Sequence, residues 1–395
     1  TESVDGEVSG NHGEADIWVM KLDAAGSIQW KNCYGGLDDD EAAAIHTTGD
    51  GGYIFLGKTF SSSGDITFNR GAGDIWAVKL DHLGAIEWQK SLGGTGAEKA
   101  AQVDVRAGGG YIIAGSTFSN NWDISGNHGD FDYWIVALSS TGVIQWQKTL
   151  GGSGTDEATD ISVTADSGYI VAGYSSSKDG QVKGNHGLHD YWIVKLDKAG
   201  NLQWQTSAGG SQTDIANSII PLSDGNFVTV GTTYSVNGDV YGNKGNYDYW
   251  VAELNASGVL ERQLCLGGTS AEAAMSVKEK PDGKLVLVGE SYSTNGDVIA
   301  LHGSSDIWMV QLQSVPLNVS DVSDQELVTY PEPVKDRLYF TNSMERVSIY
   351  SFDGKRMMEA FYTNEIDTRQ LPVGIYFIKA LDKNKKLSCK KFIKE

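Results

Sequence analysis

Carboxylates recur along this chain at a fixed interval. Asp40, Glu98, Asp156, Asp214 and Glu272 lie 58 residues apart. Asn-cation-Gly triplets keep the same step: Asn11-His12-Gly13, Asn69-Arg70-Gly71, Asn127-His128-Gly129, Asn185-His186-Gly187 and Asn243-Lys244-Gly245, with Leu301-His302-Gly303 departing at its first position. Carboxylates clustered with Asn oxygens suit a hard cation such as Ca²⁺, so the acidic column is a candidate cation ring or a structural one. A latch is needed at every joint of a repeat, whereas a single active site needs asymmetry. A column filled in every unit therefore favours structure, each acid meeting a neighbouring cation or loop N–H. The run Asp38-Asp39-Asp40-Glu41 departs from the period and reads as a cation site or a solvated acidic turn.

Ligand chemistry is expected where the period breaks. Trp122 occupies a column otherwise filled by Gly64, Gly180, Gly238 and Gly296, which places a large aromatic at a loop tip. Such a ring either covers its own loop or offers a stacking platform of the kind carbohydrate-binding surfaces use. Phe131, His189 and Tyr247 add rings at another column of the same loop, and with His128 and His186 they complete a candidate ligand face. There is no Gly-x-Ser-x-Gly elbow, no His-Glu-x-x-His and no phosphate loop. No catalytic residue is assigned, and the chain is read as a binding module, not an enzyme. The alternatives are a hydrolase or lyase acting on polysaccharide, which needs two carboxylates about 5–10 Å apart, and a structural part of a surface assembly.

The elements that position these columns follow from the same period. Asp-x-Trp triplets stand at Asp16, Asp74, Asp132, Asp190, Asp248 and Asp306, with Gly-Gly pairs at 35, 93, 151, 209 and 267. Trp30, Trp88, Trp146 and Trp204 form a further column, which Arg262 interrupts. Within a unit, four short apolar runs (Ala158–Ala165, Tyr169–Tyr174, Tyr191–Leu196, Leu202–Thr206) alternate with Gly-containing hairpin turns. Four antiparallel strands repeated around a ring make a β-propeller blade. The expected fold is all-β: a propeller of 58-residue four-stranded blades over residues 1–314, six or more in number.

With strands named A to D from the inside, the D–A and B–C loops share one face, so the acidic and cationic columns share a rim. The Asp of Asp-x-Trp is expected to accept a loop-to-strand hydrogen bond, and its Trp to pack between blades. The chain opens in a B–C loop and carries six C strands but five each of A, B and D. The expectation is an upstream segment of roughly 34 residues that closes the ring. The pattern resembles bacterial β-propeller repeats and, more loosely, kelch-type blades.

Composition bounds the rest. Gly at 49 and Pro at 6 of 395 residues, with 40% hydrophobic residues, suit strands and tight turns. The formal charge of −20 disfavours nucleic acid and anionic membrane surfaces. Charge is unevenly spread: residues 329–395 hold 13 basic and 9 acidic side chains, against 18 and 42 in the remainder, which marks two modules. No apolar run is long enough to span a bilayer, and Thr1 does not begin a signal sequence, so if the protein is exported its leader is expected to be already gone. Cys33, Cys265 and Cys389 lack metal-ligand spacing. Cys33 and Cys265 share one column on different blades and are expected to be free.

Residues 315–328 read as a polar linker. Beyond it, Tyr330-Pro331-Glu332-Pro333, Val347 to Lys355 with Gly354-Lys355, Leu371-Pro372-Val373-Gly374-Ile375-Tyr376 and a tail with Lys390-Lys391 alternate apolar and polar residues, as in a small Ig-like β-sandwich. The order of these motifs over residues 329–395 resembles the type A C-terminal sorting domain of the Bacteroidetes type IX secretion system, with Glu332 where that family usually has Asn. The resemblance implies export through the periplasm and an outer-membrane translocon, and removal of the domain by a sorting protease. It implies a secreted or surface-held protein whose partners are that machinery and a glycan or surface protein, with no membrane insertion.

Overall fold

The computed structural model describes residues 1–313, 329–331, 333–351, 356–383 and 387–395, and every regular element among them is a strand. The linker 315–328 and the motif residues Gly354 and Lys355 lie outside the described residues. The repeat folds as successive antiparallel sheets. Blade 1 has two strands, β1 (Ile17–Leu22) and β2 (Ile28–Tyr34). Blade 2 comprises β3 (Asp40–Thr47), β4 (Tyr53–Thr59), β5 (Asp74–Leu80) and β6 (Ile86–Leu92). Blade 3 comprises β7 (Glu98–Val105), β8 (Tyr111–Thr117), β9 (Asp132–Leu138) and β10 (Ile144–Leu150). In blade 4 the strands are β11 (Asp156–Val163), β12 (Tyr169–Ser175), β13 (Asp190–Leu196) and β14 (Leu202–Ala208). Blade 5 has β15 (Asp214–Pro221), β16 (Phe227–Thr233), β17 (Asp248–Leu254) and β18 (Leu260–Leu266), and blade 6 has β19 (Glu272–Glu279), β20 (Leu285–Ser291) and β21 (Asp306–Leu312). Each complete blade pairs in the order A-B-C-D, and successive A strands pack on one another. These are propeller blades.

The repeated columns make the joints. Strand C is buried on both faces in blades 2 to 5, because its alternate residues enter different joints. Tyr133, Tyr191 and Tyr249 reach forward one blade, donating hydroxyl hydrogen bonds to the carbonyls of Trp192 (2.8 Å), Trp250 (3.1 Å) and Trp308 (3.0 Å). Their rings lie 4.6, 4.4 and 4.8 Å from those indoles. Strand B needs glycine opposite the phenol: a Cβ on Gly173 would lie 2.0 Å from the Glu157 carbonyl oxygen and 2.6 Å from the Tyr133 hydroxyl. The buried indoles of Trp76, Trp134, Trp192 and Trp250 donate Nε1–H to Gln89, Gln147, Gln205 and Gln263 on strand D. The outer Trp88 donates to Ser140 in the C–D turn of the next blade (3.0 Å).

Each A strand carries a bulge at the same place, as between Ala158 and Asp160 and between Ala216 and Ser218. The extra residue is turned to use: the Thr159 hydroxyl and the Asn217 amide each donate to a bulge carbonyl of the next blade, Ala216 and Ala274, at 2.8 Å. Strands β1 and β21 pair on one side only. There Ile307 is 83% exposed, whereas its equivalents Tyr133, Tyr191 and Tyr249 are fully buried.

The C-terminal strands β22 (Thr329–Tyr330), β23 (Arg337–Ser351), β24 (Arg356–Asp367), β25 (Gly374–Asp382) and β26 (Leu387–Lys394) form one five-stranded sheet. In it β23 is 15 residues long and pairs with β24 along one edge and with β22 and β25 along the other. Val334, Leu338, Val347, Ile349, Ile378 and Phe392 lie at the centre of its core. Of the motif residues, Leu371 and Tyr376 are buried in that core. The Tyr376 hydroxyl donates to the Pro372 carbonyl (2.8 Å), and Tyr330 stacks on Tyr339 at 5.7 Å.

Candidate functional site

The acidic column does not face a channel mouth. Asp40 is 2% exposed, and Glu98, Asp156, Asp214 and Glu272 are wholly buried. Each is held by donors of its own blade. In blade 5, for instance, Asp214 accepts from the Gly210 N–H (2.8 Å), the Ser235 hydroxyl (2.8 Å) and the Thr233 hydroxyl. Asp156 has the same three donors in Gly152, Ser177 and Ser175. The loops sharing a rim are thus stapled together by a carboxylate, as a structural latch requires. Among the described residues no three His, Cys, Asp or Glu side chains gather as a metal ion would need. Asp39 of the acidic run is spent on the Ala15 N–H (3.1 Å).

The cationic column ties adjacent blades. The Asp of Asp-x-Trp accepts the N–H of its His, Arg or Lys (2.7–3.1 Å), as in His128 to Asp132 and Arg70 to Asp74. The His128 and His186 rings place Nδ1 on Asp132 (2.6 Å) and Asp190 (2.8 Å). They then reach the next blade, His128 Nε2 toward Gln181 (3.4 Å) and His186 toward Asp239 (4.0 Å). Arg70 and Lys244 form ion pairs with Asp123 and Asp297 at the equivalent places. The same Asp or Gln side chains accept the first N–H of each Gly-Gly pair, as Asp123 does from Gly93 and Asp239 from Gly209.

Phe131, His189 and Tyr247 come together with rings that the sequence reading did not single out. Phe131 pairs with Phe118 (5.5 Å), His189 with Tyr174 (5.4 Å) and Tyr247 with Tyr234 (4.7 Å). Backbone bonds set all but Tyr174, which lies in strand B, at the entrance to strand A: Phe118 N–H donates to the Ala97 carbonyl and Asp156 N–H to that of Phe131. Lys99 lies 4.4 Å over Phe131, and Lys58 lies 4.3 Å over Phe60. Phe60, Phe118, Tyr234 and Tyr292 share one 58-residue column, the signal by which this aromatic rim was findable.

Trp122 is 72% exposed and left-handed, with φ +58°. The glycines of its column have φ of +65°, +62°, +69° and +71°, and there a Cβ would lie 2.3–2.4 Å from a carbonyl oxygen of the preceding Gly-Gly turn. In those four blades the next residue donates its N–H to that carbonyl, as Asp65 does to Gly35 (3.0 Å) and Asp239 to Gly209 (2.9 Å). Among the described residues the matching bond from Asp123 to Gly93 is not made. The Gly93 carbonyl accepts from the Arg70 guanidinium instead (3.3 Å). That guanidinium lies 4.6 Å over Phe68 and 5.4 Å over Trp122. The Trp122 indole thus stands with Phe68 beside the Arg70–Asp123 ion pair on the loop face, at a turn that lacks the backbone bond of the other four blades.

Both cysteines of the repeat are buried and free, with thiols pushed up by burial.

Residues 328–395 match the secretion system C-terminal sorting domain family. The chain thus ends in a type IX sorting domain, which places the protein at the outer surface or in the medium. No curated protein matches the sequence. Solved structures with a similar fold include a protein of unknown function from Dyadobacter fermentans (9% identity, TM-score 0.41, covering 90% of this chain and 94% of that one). The Pan2 WD40 domain of Neurospora crassa is 11% identical, with TM-score 0.36 and coverage of 88% and 78%. A GH32 β-fructofuranosidase of Bombyx mori is also 11% identical, with TM-score 0.35 and coverage of 91% and 86%.

Proposed function

We propose that this exported propeller is a binding module whose loop face takes a carbohydrate, stacked on Trp122 beside Phe68, with Arg70 and Asp123 as the polar groups that orient it. The observation that carries the reading is the indole itself. It is exposed, and it sits in a backbone conformation that other blades give to glycine. Left-handed backbone costs an L-residue about 1–2 kcal/mol, and such strain, with a ring that water surrounds, marks a residue placed for contact with something outside the chain. Sugars present flat C–H faces to indoles and hydroxyls to charged groups, and this cluster offers both partners. The aromatic rim of Phe118–Phe131 and Tyr234–Tyr247 extends the same chemistry. The acidic column is read as latch, not as a glycan-cleaving pair, because substrate cannot reach carboxyls that are wholly buried.

The test is saturable binding of the full chain to a panel of bacterial, algal and host glycans, with and without Ca²⁺, beside Trp122→Ala. Binding that the substitution abolishes supports the reading. Binding that survives it moves the site elsewhere, and no binding to any glycan moves the weight to a protein partner in a surface assembly.

A further inference from the structure

Every joint from blade 1 to blade 6 buries two carboxyl groups against one glycine. A Cβ on Gly93 would lie 2.5 Å from Asp74 Oδ1 and 2.5 Å from Glu98 Oε2, so those oxygens are within 5.0 Å of each other. Gly151 stands in the same relation to Asp132 and Asp156, and Gly267 to Asp248 and Glu272, with the same distances. Gly35 and Gly209 mark the pairs Asp16–Asp40 and Asp190–Asp214. The two members are not alike. The strand-A acid has N–H and O–H donors on its carboxylate, as Glu98 has from Gly94 and Thr117. The strand-C aspartate accepts through Oδ2 only, and Oδ1 of Asp16, Asp74, Asp132, Asp190 and Asp248 is buried with no partner in all five joints, as is Oδ1 of the strand-A Asp40 in the first. A buried acceptor with no donor, set near a second carboxylate, is a costly arrangement.

We propose that the four joints from blade 2 to blade 6 each bind one proton within their pair of carboxyl groups, with the orphaned Oδ1 of the strand-C aspartate as its seat in the Asp74–Glu98 and Asp248–Glu272 joints. The proton is taken from water on folding and returned on unfolding. It turns the orphaned oxygen into a donor and leaves one negative charge, held by the donors already built around the strand-A acid. Two carboxylates this close and this dry cannot both ionise. No spare cation alters that balance. Arg70 faces Asp74 but is paired with Asp123, Lys244 faces Asp248 but is paired with Asp297, and His186 at Asp190 is shared with Asp239. His128 at Asp132 and His12 at Asp16 are bonded to those aspartates through Oδ2, away from the orphaned oxygen. A metal ion fits worse than a proton, because the donors on each strand-A acid aim hydrogens at the oxygens a metal would need. Burial and the partner carboxylate together push the strand-C Asp74 and Asp248, and in the joint between blades 4 and 5 the strand-A Asp214, up to about 6.

The sign follows. An unfolded aspartate titrates near 3.9, so between about pH 4 and 6 the folded chain holds more protons than the unfolded one. Stability from these joints is greatest at the acid end of that window and falls as pH rises through about 6. The experiment is unfolding of the full chain across this range, with proton release measured by calorimetry in buffers of different ionisation enthalpy, beside Asp74→Asn and Glu98→Gln. Unfolding at about pH 5 is expected to release several protons. Asp74→Asn, whose amide donates where the proton did, should keep its stability at neutral pH and lose part of the pH dependence, while Glu98→Gln should lose stability throughout. No proton release would overturn the proposal without reference to any variant. So would Asp74→Asn falling as far as Glu98→Gln, or a midpoint that drops on adding EDTA, which would mean a bound cation.

Discussion

Replacing Trp122 by glycine should make this protein more stable while removing the proposed ligand contact. The substitution restores the residue found at φ +62° to +71° in four other blades. It relieves about 1–2 kcal/mol of left-handed strain. It also lets Asp123 N–H reach the Gly93 carbonyl, as Asp65 reaches Gly35, a backbone bond worth about 1 kcal/mol. Against this stand the extra unfolded-state freedom of glycine, about 0.4–1 kcal/mol, and a loose cation–π contact with Arg70 at 5.4 Å, about 0.5–1 kcal/mol at an exposed site. The balance is a gain of about 1 kcal/mol, or a midpoint raised by about 1–2 °C for a domain of this size. Trp122→Ala removes the same ring but keeps a Cβ in the left-handed region, so it should be about 1 kcal/mol less stable than Trp122→Gly. Thermal and urea unfolding of the three proteins give the order, and calorimetric titration with the glycan found in the panel gives the affinity. If Trp122→Gly lost about 3 kcal/mol or more, as a packed indole would on truncation, Trp122 would be a core residue of its loop and the platform reading would fall.

Three further outcomes are expected. Gly173→Ala drives a Cβ to 2.0 Å from the Glu157 carbonyl oxygen and displaces the Tyr133 hydroxyl; it should cost about 2–3 kcal/mol or more in chemical unfolding. Tyr191→Phe deletes the hydrogen bond to the Trp250 carbonyl and leaves the ring packed, for a loss of about 1 kcal/mol with unchanged far-ultraviolet circular dichroism. Deleting residues 329–395 should leave the propeller folded and hold it in the periplasm, which fractionation of the native host reads directly; appearance in the medium would refute the role of the sorting domain.

The fold was legible because each blade repeats without insertion. A fixed step of 58 residues, two hairpin turns per unit and the Asp-x-Trp triplet are enough to name four strands and their order. What the period cannot supply is which columns meet. Tyr133 touches Trp192 at a separation of 59, Arg70 meets Asp123 at 53, and Asp74 faces Glu98 at 24. Those offsets are set by the pitch between blades and by the bulge in strand A, neither of which is a property of any one segment. The acidic column could therefore be read as a latch from its regularity, but its partner carboxyl and the glycine between them appear only in three dimensions. The C-terminal strands show the converse limit. Alternation identified them one by one, yet a strand as long as β23 can pair on both edges, and period-2 patterning does not say whether five strands make one sheet or two.

The same regularity decides where recognition is to be sought. Side chains that recur in every blade are consumed by the joints: acids by loop N–H and hydroxyl donors, histidines by aspartates, indoles by glutamines, tyrosines by carbonyls. A column so satisfied has little left to offer a ligand, and Arg70 and Asp123 enter the proposed site only because Trp122 stands beside their ion pair. Trp122 is the reverse case, since it breaks a glycine column, forfeits a backbone bond that four blades make, and keeps its ring in water. A change that is unfavourable for the fold and useless to the joints supports the proposed contact with a partner from outside, and the terminal sorting domain carries the protein to where such partners are met.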